Sequence, residues 1–222
     1  MLTGVRLQMR LTKARPNFYL MNRNVESKTD FKFFDAQLLI RRVSPNPVIL
    51  LAHKSTLTKG SLARYNLTRV EIKTFTFSAR SKLLSIDNAS QKRLLFIMVK
   101  NTDFIGSLNS NMYKFQHYDI SDFSLFVNGK VFPNDNLSLG MDYEKTFVMD
   151  YRTLFEASGI HHSNTGLQIT HNMYINGYSM LLLDLTHDRG ATGSHTSHPE
   201  NGSITIELKF NKLLPEAITC LL

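Results

Sequence analysis

Residues Phe123–Phe132 read FSLFVNGKVF, two alternating apolar segments joined by Asn128-Gly129. A two-residue connection between antiparallel strands needs positive φ at its central residues, and Asn-Gly tolerates this best. The segment therefore predicts a β-hairpin, and the same alternating signal recurs on both sides of it. Val5, Leu7, Met9 and Leu11 alternate with polar residues. Phe31–Val43 (FKFFDAQLLIRRV) reads as a long strand with Phe31, Phe33, Ala36, Leu38 and Ile40 mostly on one face. Val70, Ile72, Phe75 and Phe77 predict another, with one slip of phase that suits a bulge. Leu94–Val99 and Tyr178–Leu185 are continuous apolar runs of strand length, as expected for strands covered on both faces. Ile204, Ile206, Leu208 and Phe210 alternate cleanly. Ala217–Leu222 puts Ile218, Cys220 and Leu222 on one face and the chain then stops, which predicts an edge strand or a truncated one.

One segment carries the helical period. Tyr143, Phe147, Val148, Tyr151, Leu154 and Phe155 recur at spacings of three and four, with Asp142 placed to cap and Gly159 placed to terminate. This predicts a helix over about Asp142–Ser158, and Ile49–Leu57 predicts a shorter one after Pro45 and Pro47. Arg80–Gln91, Asn101–Asn111 and His187–Gly202 are polar and turn-rich and are expected to be loops. The fold class that follows is all-β: a single domain over residues 1–222, a jelly-roll-like antiparallel β-sandwich with one inserted helix. An immunoglobulin-type sandwich is disfavoured, because the chain has no tryptophan and a single cysteine.

Composition narrows the function classes. The 222 residues are 42% hydrophobic, which excludes wholesale disorder, and no apolar run reaches the ~20 residues of a membrane helix. Charges thread Met1–Arg10, so no signal peptide is expected, and the Asn-x-Ser/Thr sequons at Asn66, Asn88, Asn136 and Asn201 are expected to be unused. Lone Cys220 fits a reducing compartment. Residues 1–100 carry 19 Lys+Arg against 5 Asp+Glu, whereas residues 101–222 carry 7 against 13. A basic half and an acidic half suit either nucleic-acid contact on the basic side or pairing of like molecules through opposite faces.

The sharpest enzymatic pattern is His117-Tyr118-Asp119 with His171 downstream. Two histidines and a carboxylate make the facial triad of jelly-roll non-haem iron oxygenases. Met173–Leu185, however, holds no basic residue to grip a co-substrate carboxylate. Six of eight histidines fall within residues 160–199 (His161, His162, His171, His187, His195 and His198), without the helical pairing or cysteine partner of a strong zinc signal. There is no Walker or dinucleotide motif, and SGIHHSNTG (residues 158–166) is a polar turn rather than a phosphate cradle. Asp184 and Asp188 around Thr186-His187 suit a tied-down turn. Cys220 has apolar neighbours that favour an inert thiol, and Tyr174 and Tyr178 around Asn176-Gly177 are expected at a surface or interface. No catalytic, cofactor-binding or metal-ligating residue is assigned.

Read in order, FKFFDAQLLIRRV, ILLAHKSTL, YNLTRVEIKTFTF, KFQHYDIS, FSLFVNGKVFP, YRTLFEASG, NGYSMLLLDLTHDRG and SITIELKF resemble the major capsid proteins of Polinton/Maverick transposons and adintoviruses. The resemblance runs from Gly4 to Leu222 and covers the C-terminal half of a double jelly roll; members carry a proline where this chain has His187. It implies a structural subunit without catalysis, assembling as homotrimeric capsomers in a virion, or an intracellular transposon-derived remnant of one. It implies no cofactor and no membrane partner.

Overall fold

The computed structural model describes residues 8–21, 31–63, 69–89, 92–132, 147–160, 163–191 and 202–222. The chain divides into two compact units, one of Met1–Pro16 and Ser27–Val70, the other of Asn17–Glu26 and Glu71–Leu222.

The second unit is a β-sandwich of eight strands. They are β1 Thr74–Phe77, β2 Leu83–Ala89, β3 Arg93–Lys100, β4 Ile120–Val127, β5 Lys130–Phe132, β6 Met180–Asp184, β7 Ser203–Phe210 and β8 Ile218–Leu221. One antiparallel sheet has the order β1-β8-β3-β6 and the other β2-β7-β4-β5. The first and last strands are neighbours, and most consecutive strands alternate between sheets, which is the jelly-roll order.

The core follows from period-two alternation. On β7 the inward residues Ile204, Ile206, Leu208 and Phe210 are fully buried, and Ile206 sits opposite Ile86 of β2 and Leu125 of β4. From the facing sheet come Leu94, Phe96 and Met98 of β3, Leu181 and Leu183 of β6, and Ile218 and Cys220 of β8. The Phe96 and Phe123 rings meet at 5.4 Å, tilted by 59°. Ile120 and Phe123 both face inward despite their three-residue spacing, because the register shifts between Ile120 and Asp122.

Helix α4 (Phe147–Ser158) lies between β5 and β6 in sequence and packs on β6. Gly159 ends it with φ 74°, as its place after the apolar stripe predicts. Asp142 and Tyr143, the expected start, lie outside the described residues. Beneath α4 and the short helix α5 (His171–Ile175), Leu154 and Tyr174 form a second cluster with Met180 and Leu182. The apolar run Tyr178–Leu185 is thereby explained: Leu181 and Leu183 face the sandwich core, and Met180 and Leu182 face the helical layer.

The hairpin is as expected, with Asn128 at φ 53° and Gly129 at φ 77° between β4 and β5. Four other expectations are corrected. Ala217–Leu222 is not an edge: β8 lies between β1 and β3, hydrogen-bonded to both. Its sequence alternates as an edge strand's would, but Thr219 on the other face is buried too, beside Asn101, whose Oδ1 accepts from its hydroxyl at 2.9 Å. Arg80–Gln91 is not a loop, since it contains β2, whose polar Asp87 points outward and accepts from Thr205 Oγ1 of β7 at 2.6 Å. Asn101–Asn111 opens with a helical turn, α3 (Asn101–Ile105). Strand β3 is central but not covered throughout, because Leu95 on its outer face is 42% exposed.

In the first unit, Val5 and Leu7 lie outside the described residues, and Met9 and Leu11 are exposed and in no strand. Phe31–Val43 is likewise exposed and in no strand. Alternation alone does not make a strand; a second strand must satisfy its backbone groups. The expected short helix is present as α2 (Pro47–Thr58), with Asn46 Oδ1 accepting from Val48 N–H at 3.0 Å and Pro47 at the first position. At 12 residues it equals α4 in length.

Candidate functional site

A concavity of the sandwich unit has a volume of about 460 Å³. It is formed by the segment entering β4, the turn after α5 and the β7–β8 connection. Its polar lining includes Lys114, His117, Asp119, Lys212 and Glu216. The sequence pattern singled out His117 and Asp119; nothing in it marks Lys114, three residues before His117, or Lys212 and Glu216, which the topology brings in from the β7–β8 connection.

The turn through this lining is strained. Tyr118 and Asp119 both hold positive φ, 50° and 51°, with Ile120 N–H donating to the His117 carbonyl at 3.2 Å. A left-handed non-glycine residue costs roughly 1–2 kcal/mol. Three contacts hold the turn in place. Asp119 N–H donates to His117 Nδ1 at 3.1 Å, Asn211 N–H donates to the Asp119 carbonyl at 2.9 Å, and the half-buried Tyr118 ring packs against the core.

The electrostatics of the cleft are those of a balanced network. Burial pushes the His117 pKa down, and the Asp119 charge only partly opposes this. His117 Nδ1 lies 3.7 Å from Asp119 Oδ1, close enough for an ion pair. Because that nitrogen accepts the Asp119 N–H, it carries no proton, so the contact is hydrogen-bonded geometry rather than a salt bridge. Asp119 instead faces Lys212 at 3.8 Å, and Glu216 binds Lys100 at 2.6 Å. The hydrogen bond to Glu216 raises the Lys100 pKa, and burial raises that of Tyr118, whose hydroxyl lies 3.5 Å from the same carboxylate. Each carboxylate of the cleft is matched to a cation.

The iron pattern is not assembled. His171 opens α5 and stacks edge-on against Tyr151 at 5.6 Å, and among the described residues no three His, Cys, Asp or Glu side chains group to hold a metal. Four of the clustered histidines, His161, His162, His195 and His198, lie outside the described residues. Asp184 does tie down its turn, accepting from Thr186 N–H at 3.0 Å, Thr186 Oγ1 at 2.6 Å and Ala191 N–H at 2.9 Å. Cys220 is fully buried, which pushes its thiol up to about 12. Tyr174 is not at a surface: it is wholly buried and donates to the Met180 carbonyl at 3.1 Å, while Tyr178 is 38% exposed.

Sequence reading missed one chemically unusual group. Asp150, in the first turn of α4, is fully buried, and neither carboxylate oxygen has a hydrogen-bond partner among the described residues. Burial pushes its pKa up to about 7. The one signal in the sequence is its spacing: Asp150 stands three residues after Phe147 and four before Leu154, at the border of the apolar stripe.

No protein-family model, curated protein or solved structure matches this chain. Among the described residues, no helix is long and apolar enough to cross a membrane.

Proposed function

We propose that this chain is a structural capsid subunit, or a transposon-derived remnant of one, which builds homotrimeric capsomers and performs no catalysis. The observation that carries this reading is the strand order. Sheets β1-β8-β3-β6 and β2-β7-β4-β5 form the jelly roll that the resemblance to Polinton/Maverick capsid proteins implies. A jelly roll suits a shell because its two sheets make a rigid block with broad lateral faces. The cleft is compatible with the same reading, since its two carboxylates, Asp119 and Glu216, are each paired with a lysine.

Native mass spectrometry and negative-stain microscopy of the purified chain test the proposal. Threefold particles are expected. A monomer or a dimer across the whole concentration range overturns it.

A further inference from the structure

Among the described residues of α4, Asp150, Leu154 and Ala157 are buried, and their spacing of four and three puts them on one face. That helix packs on β6 and α5. The head of an otherwise apolar face is therefore a carboxyl group taken wholly out of water, with no hydrogen-bond partner on either oxygen among the described residues. Charging such a group removes its hydration and puts nothing in its place. The surrounding groups do not relieve it. Tyr174 of α5 feels the Asp150 charge, but its hydroxyl donates to the Met180 carbonyl at 3.1 Å. His171 of α5 stacks on Tyr151 at 5.6 Å. The titratable residue of β6, Asp184, accepts from Thr186 and Ala191. On α4 itself, Arg152 binds Glu156 at 2.6 Å. Burial raises the Asp150 pKa to about 7.

Helix α4 is also the element able to respond. Strand β6 keeps its ladder to β3 without it. Helix α5 is tied to the sandwich, because Ser179 Oγ donates to the Tyr174 carbonyl at 2.8 Å and Phe115 N–H to the Gly177 carbonyl at 2.8 Å. The cluster under α4 is separate from the sandwich core, and small separate clusters open at lower cost than a whole domain. Met180 and Leu182 of β6 pack against that cluster, and their cross-strand neighbours on the same face are Ile97 and Leu95 of β3.

We propose that α4 is a proton-operated flap: protonated Asp150 lets it close over β6, and release of that proton to solvent lets it lift, uncovering Met180 and Leu182 beside Leu95 while the sandwich stays folded. In the lifted form Asp150 is hydrated and regains the ordinary carboxylate range. Each pH unit between about 4 and about 7 then favours the lifted form by up to tenfold, and above 7 the balance is level. The flap is independent of the capsid reading and operates in a single chain.

Hydrogen exchange of the full chain at pH 5 and pH 8, with intrinsic exchange rates divided out, tests it. Opening over Phe147–Ser158 is expected to rise at least tenfold from pH 5 to pH 8, with little change over Ser203–Phe210. Binding of an anilinonaphthalene sulfonate dye is expected to rise with it. Asp150→Asn is expected to hold α4 equally closed at both pH values and to abolish the dye response. The wild-type measurement stands even where that variant folds poorly. Opening over α4 that does not change with pH overturns the proposal. So does an equal rise over Ser203–Phe210, which would make the sandwich and the flap one unit, or a pH response that survives in Asp150→Asn, which would assign it to His171 or another group.

Discussion

At the scale of single residues, Asp150 gives the sharpest expectation. Its carboxyl is raised to about 7 in the fold from an ordinary 3.8. Between these values the folded chain holds a proton that the unfolded chain has released, so stability falls as pH rises from about 4 to about 7 and is level above that. D150N removes the buried charge and should melt above wild type at pH 8, by on the order of 3 kcal/mol, with the gap closing near pH 4. Thermal melts across that range check this, and a pH-independent gap would contradict it. Tyr174 shares the site, its pKa raised first by burial and then by the Asp150 charge. Gly202 makes a second case. A Cβ there would lie 2.3 Å from Asn128 Oδ1, the atom that accepts from Ser203 N–H at 3.0 Å. Gly202→Ala should therefore displace that side chain and cost about 1 kcal/mol, roughly one hydrogen bond, in a denaturant titration.

At the scale of elements, the helical layer on β6 is held by a small cluster, with Leu154 and Tyr174 its buried members. Tyr151 adds edge-on ring contacts to Phe155 at 5.0 Å and Tyr174 at 5.5 Å, and its hydroxyl donates to the Ile169 carbonyl at 2.5 Å. Leu154→Ala should cost about 2–4 kcal/mol as a buried truncation. Amide exchange should quicken over α4 and α5 more than over β7, because this cluster is separate from the main core. Uniform quickening across both clusters would instead show one cooperative unit.

At the scale of the whole molecule, nothing in the described residues groups as a metal site, and the fold closes around an apolar core. Adding a chelator should leave the melting temperature unchanged; a drop of several degrees would point to a structural metal, whose binding contributes folding free energy directly. In the capsomer reading, association of copies through the basic and acidic halves of the chain should weaken as salt rises, because exposed charges are screened beyond about 8–10 Å at ordinary ionic strength. Light scattering across a salt series reads this. An oligomer indifferent to salt would assign the contact to apolar burial alone.

The sequence by itself determined the hairpin at Asn128-Gly129, the inward residues of β7, the two-sided burial of β6 and the end of α4 at Gly159. Each of these rests on local conformational preference or on periodicity, which neighbours in the chain suffice to express. Tertiary structure decided that β8 is central, that Leu83–Ala89, set within a segment rich in polar residues, is a strand, and that Phe31–Val43 is not. Strand identity depends on a partner distant in sequence: Asp87 stands in a strand because Thr205 lies opposite it, whereas Phe31–Val43 alternates without one. The candidate site divides the same way. His117 and Asp119 are legible as a triplet. The strained turn at Tyr118 and Asp119, the pairing of Asp119 with Lys212, the seat of His171 against Tyr151 and the burial of Asp150 are set by packing.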